Sequence, residues 1–168
     1  MNIINVELEA NAYPVYLGRG LLTDHSLWNK HLGAGKTLIV SNDVVAPLYL
    51  DTLKSALGGR DLDVHIIPDG EPYKTTETWY GIIDKLVAMQ ARRDANIVAL
   101  GGGVVGDISG FAAASYMRGI RFLQAPTTLL AQVDASVGGK TGINHEKGIN
   151  ISNHRIVGCR DDRNGLRS

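Results

Sequence analysis

Residues 97–107 read Ile-Val-Ala-Leu-Gly-Gly-Gly-Val-Val-Gly-Asp, and this stretch decides the fold of the chain. A short apolar run enters three consecutive glycines, and a helical pattern of small residues, 108–117, follows. Gly101, Gly103 and Gly106 have the G-x-G-x-x-G spacing that joins a strand to a helix in dinucleotide-binding units. Because glycine has no Cβ, such a corner can approach a pyrophosphate, and the N–H groups that begin the helix can bind its negative charge. The stretch therefore predicts a dinucleotide or phosphate-ester site between a strand and a helix.

The same glycines could form only a tight turn. One glycine would suffice for a turn, and further glycines cost stability through chain entropy, so the cluster favours close approach of a ligand. One part of the usual fingerprint is missing, because no Asp or Glu lies between Asp107 and Asp134. An acidic residue about 20 positions on would normally bind the adenosine ribose. The sequence thus predicts a phosphate-binding corner without the standard ribose contact.

Apolar patterns along the rest of the chain alternate between strand and helix periods. This alternation is typical of an α/β fold with a mainly parallel sheet. Segments 2–8 and 13–17 instead predict an antiparallel strand pair at the amino terminus. Thr75 or Thr76 can cap the third helix. The other expected strands are residues 37–40, 64–67, 96–100 and 122–125, and the expected helices are residues 20–31, 47–57, 76–89, 108–117 and 127–134.

Composition narrows the class of protein. The chain has 168 residues, of which 44% are hydrophobic, enough for one packed domain. Seventeen basic residues balance seventeen acidic ones, which argues against a nucleic-acid binder. A single cysteine, Cys159, excludes an intrachain disulfide and favours a reducing compartment. Without a signal-peptide pattern or a long apolar run, we expect a cytoplasmic protein with no membrane partner.

Two segments imitate a nucleotide-binding P-loop, and both fail its pattern. Residues 35–37 and 139–141 read Gly-Lys-Thr. The P-loop pattern requires a further glycine five positions before the Gly of each segment, but those positions hold Lys30 and Asp134. The five histidines show no spacing typical of a zinc site. We therefore expect neither an ATPase nor a metal site built from a local motif.

Several loops carry side chains that suit either a structural or a binding role. Residues 69–74 begin with a Pro-Asp-Gly turn signal, yet loops at the carboxyl ends of parallel strands line ligand crevices and could bind ribose hydroxyls. Thr127 and Thr128 could simply cap the helix that follows them. Lys140 lies in a glycine-broken loop and suits a phosphate or carboxylate as a point charge. Arg118, near a helix end, could interact only with that helix terminus. Both interpretations stay open from the residues alone.

Five motifs in succession resemble the amino-terminal half of the 3-dehydroquinate synthase family. The resemblance covers about residues 1–148, or nearly all of the chain, but only the first half of a family member. The motifs are Pro-Asp-Gly-Glu-Pro-Tyr-Lys at 68–74, Ala-Leu-Gly-Gly-Gly-Val-Val-Gly-Asp at 99–107, Gly-Phe-Ala-Ala-Ala-Ser-Tyr-Met-Arg-Gly at 110–119, Pro-Thr-Thr-Leu-Leu-Ala-Gln-Val-Asp at 126–134 and Ser-Val-Gly-Gly-Lys-Thr at 136–141.

The resemblance implies a Rossmann-like NAD domain, with helices on a mostly parallel sheet, followed in the family by an all-helical domain. It implies a carbon–oxygen lyase of the shikimate pathway, which converts 3-deoxy-D-arabino-heptulosonate 7-phosphate to 3-dehydroquinate and phosphate. NAD would oxidise a hydroxyl transiently, and a divalent metal, zinc or cobalt, would bind the substrate hydroxyls. Family members are commonly homodimers, so a homodimer is a further expectation.

The resemblance also implies roles for particular residues. Substrate-side positions match Arg118, Asp134, Lys140 and Asn150. Cofactor positions match Asn42, Asp69, Gly70, Glu71, Pro72, Tyr73, Lys74, Gly103, Val104, Val105, Gly106, Asp107, Thr127, Thr128 and again Lys140.

The chain departs from the family after Gly148. The family continues with Gly-Lys-Asn, whereas here Ile149 and Asn150 follow, so that lysine is absent. The family's metal ligands, a Glu and two His in the second domain, have no counterpart here. We therefore expect an NAD-binding domain over residues 1–148 and an irregular or disordered tail over 149–168. By this interpretation the chain is truncated, naturally or by a frameshift, and inactive on its own.

Two other functions stay open. A metal-containing, NAD-dependent alcohol or glycerol dehydrogenase shares the glycine triplet and a helical second domain. The segments 69–74 and 136–141 favour the synthase over that dehydrogenase. A non-catalytic, orphaned NAD-binding fragment is the other possibility.

Overall fold

The fold is seen in a computed structural model that describes residues 1–8, 11–135, 140–145 and 148–155. No helix in these ranges is both long and apolar enough to cross a bilayer. The strands are β1 (Asn2–Leu8), β2 (Asn11–Leu17), β3 (Thr37–Asn42), β4 (Leu62–Ile67), β5 (Asn96–Gly101), β6 (Arg121–Pro126), β7 (Lys140–His145) and β8 (Gly148–Arg155); the helices are α1 (His25–His31), α2 (Ala46–Ala56), α3 (Thr76–Ala88) and α4 (Gly103–Ser115).

The central sheet has four parallel strands in the order β4-β3-β5-β6. This confirms the α/β class and the mainly parallel sheet. The chain runs outward from β3 to β4 and then returns to place β5 on the other side of β3. At such a switch point the loops leave in opposite directions and open a crevice at the carboxyl ends of the strands. We call the end of the sheet that holds Asn42 and Gly101 the carboxyl edge, and the opposite end the amino edge.

Helices cover both faces of this sheet, which explains its continuous apolar strands. Alternate residues point to opposite faces. Leu38 and Val40 pack in one core with residues of α3 and α4. Ile39 packs in a second core with α1 and α2. The β3 and β5 side chains are all buried, so the two central strands fix the positions of the loops that follow them.

A buried asparagine organises the amino edge. Asn96 is fully buried, and its Oδ1 accepts a hydrogen bond from the Gly33 N–H at 2.8 Å. Its Nδ2 donates to the Gly35 carbonyl at 3.1 Å and to the Thr37 hydroxyl at 3.2 Å. At Gly35 a Cβ would lie 2.3 Å from the Asp94 carbonyl oxygen, so only glycine fits. The loop that enters β3 is therefore locked to the start of β5.

Two antiparallel pairs flank the sheet. The β1–β2 pair confirms the expected amino-terminal hairpin. The β7–β8 pair is not predicted by the sequence pattern. Buried Thr141 and Ile143 anchor β7, and Ile143 belongs to the core of α3 and α4. The structure thus has a strand over part of the segment that we expect to be irregular from Ile149. The domain boundary at 148 stays a prediction, and residues 156–168 lie outside the described ranges.

Several helix boundaries differ from the periodic patterns. The helix expected from residue 108 already begins within the glycines, at Gly103. The helix expected over 20–31 is a 3-10 turn, Leu21–Thr23, followed by α1. Thr75 caps α3, since its side chain accepts from the Thr78 N–H. The helix expected over 127–134 contains a π-helical turn, Ala131–Ala135.

Candidate functional site

The start of α4 is the centre of the candidate site. Its N-cap is Gly102, no side chain caps it, and its first turn contains no acidic residue. The first N–H groups of a helix have no partner inside the helix, and the helix dipole makes this end positive. Gly102, Gly103 and Val104 are partly exposed. This end of α4 therefore offers donors and positive potential at the switch point between β3 and β5.

The other glycines of the corner serve packing. A Cβ on Gly101 would lie 2.6 Å from Val105 Cγ2, and one on Gly106 would lie 3.2 Å from the side-chain amide nitrogen of Gln124. A void of only about 10 Å³ lies behind the corner, between Gly101, Gly106 and Gln124. A ligand must therefore approach from the side of Gly102 and Gly103.

Two threonines at the end of β6 border this corner. The Thr127 N–H donates to the Gly101 carbonyl at 3.0 Å, which holds the two loops together. The Thr127 hydroxyl is buried and has no hydrogen-bond partner among the described residues. Buried hydroxyls are rarely left unpaired, so this one is a candidate ligand contact. Thr128 caps the next helical turn, because its hydroxyl accepts from the Ala131 N–H at 3.2 Å.

Asn42 links the carboxyl ends of β3 and β4. It is only 4% exposed, and its Oδ1 accepts from the Val45 N–H at 2.8 Å. Its Nδ2 donates to the Asp69 carboxylate. The Asp69 N–H in turn donates to Asp43 Oδ1 at 3.1 Å. Asp69 itself is exposed, so its carboxylate is accessible while the bond to Asn42 fixes its position.

Residues 69–74 pack against α4 through a buried lysine. Lys74 is 2% exposed, and its ammonium group pairs with the Asp107 carboxylate in α4. Glu71 Oε1 lies 4.0 Å from the same ammonium nitrogen, and the Glu71 side chain is about half exposed. A buried lysine needs such a partner, because an unpaired ammonium would lose its hydration without compensation. Lys74 therefore holds the loop against α4.

Asn144 contacts the same loop, and the sequence analysis assigns it no role. Its backbone N–H donates to the Lys74 carbonyl at 2.7 Å. Its side-chain Nδ2 donates to Glu71 Oε1, also at 2.7 Å. In the sequence, Asn144 is distinguished only by its place four residues after Lys140. Its spacing does not indicate the contact with Glu71, which lies 73 residues away along the chain.

The residues expected on the substrate side lie on separate elements. Asp134 lies in the π-helical turn, Lys140 is the first residue of β7, and Asn150 lies in β8. Arg118 is exposed in the turn that precedes β6, at the amino edge. The length of β6, about 20 Å for its six residues, separates that turn from the glycine corner. Residues 136–139, which belong to a family motif, lie outside the described ranges.

A larger cavity of about 500 Å³ lies beside this site, between β2, α1 and β6. Its walls are mostly apolar and include Trp28 and Phe122, and Thr127 lies at its border with the corner. Because none of the glycines of the corner and no residue of α4 lines this cavity, its volume does not describe the corner itself. We assign the site by the position of the helix start and not by cavity size.

The resolved pKa shifts lie away from this site. Burial lowers the pKa of His31, and the positive charges of Lys30 and Arg121 add to the effect. Burial likewise lowers the pKa of His65, with a further contribution from Lys85. Within the described ranges, no group of three or more His, Cys, Asp or Glu residues could hold a metal ion. The expectation that this chain lacks the family's metal ligands stays a prediction.

Comparison with solved structures agrees with this architecture. The 2-epi-5-epi-valiolone synthase of Streptomyces hygroscopicus subsp. jinggangensis, solved with NAD+ and Zn2+, is 32% identical with a TM-score of 0.78. The alignment covers 92% of this chain and 43% of that one. A 2-deoxy-scyllo-inosose synthase superposes with a TM-score of 0.84 over 94% of this chain and 44% of its own, and its 23% identity supports the fold alone.

Sequence comparison assigns the family. The 3-dehydroquinate synthase of Methylococcus capsulatus is 52% identical over 151 residues, which are 90% of this chain and 42% of that protein. The Coxiella burnetii enzyme is 52% identical over 148 residues, 88% of this chain and 41% of its own. The chain thus spans about two fifths of the length of these relatives. The family profile described as 3-dehydroquinate synthase N-terminal matches residues 64–154, and the chain therefore belongs to the 3-dehydroquinate synthase family.

Proposed function

We propose that this chain is the NAD-binding portion of a 3-dehydroquinate synthase, and that the uncapped start of α4 binds the cofactor's pyrophosphate. The observation that carries the proposal is the exposed helix end at Gly102 and Gly103, located at the switch point of a parallel sheet. Backbone N–H groups and the helix dipole there favour a bound anion. The family relatives and the NAD+ in the valiolone synthase crystal support this assignment.

The surrounding residues fit a dinucleotide. The unpaired Thr127 hydroxyl can donate to an oxygen of the cofactor. The carboxylate of Asp69, fixed by Asn42, can accept from ribose hydroxyls and would replace the acidic residue that the usual fingerprint places after the helix. Gly102 and Gly103 are partly exposed and carry no side chain, so their backbone can approach the phosphates. These residues would bind and orient the cofactor without themselves reacting.

The proposed reaction is the conversion of 3-deoxy-D-arabino-heptulosonate 7-phosphate to 3-dehydroquinate and phosphate. Bound NAD would supply the transient oxidation and re-reduction of one substrate hydroxyl. Lys140, Asp134, Asn150 and Arg118 are our candidates for substrate binding, with Lys140 and Arg118 as positive charges for the phosphate or carboxylate. The described residues offer no metal cluster, so we derive no metal-dependent step from them. We expect NAD binding by this chain.

A matched pair of variants tests the proposal. Val104 is the second residue of α4 and is partly exposed. Val104→Asp places a negative charge beside the proposed pyrophosphate, and Val104→Asn has nearly the same shape without the charge. We expect isothermal titration calorimetry to show NAD binding to the parent chain. Val104→Asp should bind at least tenfold more weakly than Val104→Asn, or about 1.4 kcal/mol in binding free energy. Equal affinities of the two variants would contradict a pyrophosphate at this helix end.

A non-catalytic NAD-binding domain is the second candidate, because the residues of the proposed site would bind and orient the cofactor without themselves reacting. Phosphate release from the heptulosonate phosphate by the isolated chain would overturn it. No heat with millimolar NAD would contradict both candidates.

We also propose a cytoplasmic location and a homodimer. The location is supported by the single cysteine and by the biosynthetic role of the named relatives. The dimer is an expectation from the family, and sedimentation at several protein concentrations would test it.

A further inference from the structure

We propose that Asn144 is a positioning residue for residues 69–74, and that it acts on the cofactor site through Glu71. This inference rests on the proposed function. It adds a link between the loop on the cofactor side and β7, the strand that begins with Lys140.

The first support is the geometry of β7. Its register with β8 shifts between Ile143 and His145, at the position of Asn144. Irregularities of this kind turn a residue away from its ladder and are common beside functional sites. Here the Asn144 N–H donates to the Lys74 carbonyl at 2.7 Å, outside the strand pair. The shift in register thus places Asn144 against the loop.

The second support is the chain of polar contacts that starts at Asn144. Its Nδ2 donates to Glu71 Oε1 at 2.7 Å, and this carboxylate lies 4.0 Å from the Lys74 ammonium nitrogen. Lys74 pairs in turn with Asp107 of α4. The Asn144–Glu71 hydrogen bond is exposed, but the Lys74 ammonium at the other end of this series of contacts is buried and fixed by Asp107. Asn144 therefore connects β7 to the helix whose first turn forms the proposed cofactor site.

The third support is the rigidity of the strand that carries Asn144. Its neighbour Ile143 is buried in the core formed with α3 and α4, and Thr141 is 2% exposed. An anchored strand can restrain a surface loop, because the restraint does not move with the loop. Glu71 and Tyr73 are exposed, so contacts to β7 and α4 must supply their order.

Removing the Asn144 side chain should loosen the loop without unfolding the domain. In cofactor-free Asn144→Ala, we expect the Tyr73 and Lys74 amides to exchange with D2O at least fivefold faster, since both donate within this loop to Gly70 and Glu71. NAD should bind about tenfold more weakly, the usual effect of losing a hydrogen bond to a charged group. Asn5→Ala, an exposed asparagine in β1, is the matched control and should change neither quantity.

Two further variants separate positioning from a general loss of structure. In a Glu71→Ala background, Asn144→Ala should weaken NAD binding by less than twofold, because the contact it removes is already gone. Asn144→Asp places two carboxylates together, so its NAD affinity should rise as the pH falls from 8 to 5.5, whereas Asn144→Ala should show no such pH profile.

Each outcome distinguishes this inference from the proposed function. Unchanged exchange of the Tyr73 and Lys74 amides in Asn144→Ala would overturn the link itself. Faster exchange with unaltered NAD affinity would overturn its role at the site. If the parent chain binds no NAD, the proposed function fails while the exchange result still decides whether Asn144 restrains the loop.

Discussion

Lys74 and Asp107 form an ion pair at the first turns of α4, and the lysine side chain in that pair is almost completely buried. The pair joins a loop that follows β4 to the helix that follows β5. It therefore crosses β3, the strand between them in the sheet. Two loops that are distant in sequence are held together on one side of the switch point.

Breaking this pair should destabilise the fold. Lys74→Met keeps most of the apolar stem but removes the ammonium group that pairs with the Asp107 carboxylate. Asp107 is 20% exposed, so water can compensate in part. We expect the free energy of unfolding, measured by urea denaturation with tryptophan fluorescence, to fall by about 2–3 kcal/mol. Lys36→Met, which removes an exposed ion pair with Asp61, is the control and should cost less than about 1 kcal/mol. An equal loss in both variants would contradict this account.

Close packing of Gly101 against Val105 should make the free energy of unfolding sensitive to any side chain at position 101. Gly101→Ala puts a Cβ 2.6 Å from Val105 Cγ2, which forces a local shift. We expect a loss of about 1–3 kcal/mol in the free energy of unfolding. Gly102→Ala should be milder, because its nearest contact would be Thr128 Cγ2 at 3.4 Å. In a Val105→Gly background, which removes every side-chain atom that the added Cβ would meet, Gly101→Ala should cost clearly less, and an equal loss in both backgrounds would exclude this contact as the cause.

Loss of the Asn96 hydrogen bonds at the amino edge should lower the free energy of unfolding without changing the affinity for NAD. Asn96→Ala leaves the Gly33 N–H and the Gly35 carbonyl without their buried partner. We expect a loss of about 3 kcal/mol in chemical denaturation. NAD affinity measured well below the unfolding temperature should change by less than about twofold, since the site lies at the other end of the strands. Asn29→Ala, which removes one exposed contact to Arg60, is the control.

Histidine burial predicts how stability depends on pH. Burial and Lys85 hold the pKa of His65 below its usual value, so the unfolded chain binds this proton more readily than the folded chain. The contribution of His65 to the free energy of unfolding is therefore complete above about pH 6.5. It declines as the pH falls from there toward the pKa of His65 in the folded chain. His65→Gln should flatten this part of the pH profile of the free energy of unfolding. A profile identical to the parent between pH 5 and 7 would contradict the prediction. His31, whose pKa is also lowered, should keep a smaller slope in that variant.

The central sheet could be predicted because its signals are local. The apolar runs of β3 and β5 reach both cores, and the turn after Leu100 follows from consecutive glycines. Position before a helix predicts a cap at Thr75 or Thr76 and allows one at Thr127 or Thr128, and in the structure Thr75 and Thr128 accept these hydrogen bonds. Patterns of this kind depend on neighbours within a few residues, which a single sequence displays.

Contacts between distant segments could not be predicted. Lysines are rarely buried, and only the position of Asp107, 33 residues along the chain, makes the burial of Lys74 tolerable. The role of Asn144 depends on a shift in register that no spacing indicates. The β7–β8 pair was missed because glycine and polar residues interrupt its alternation. The packing role of Gly101 follows from one contact with Val105, which the glycine motif does not distinguish from ligand binding.

The buried asparagine at the amino edge has a practical consequence for protein engineering. Its bonds secure the frame at the end where the strands begin, while the loops proposed to contact the cofactor emerge where they finish. Libraries that randomise those loops to alter cofactor preference would spare the residues on which the frame depends. The bonds that secure the frame and the loops that set chemical specificity thus lie at opposite poles of one sheet, a division that favours evolutionary change of specificity without loss of the frame.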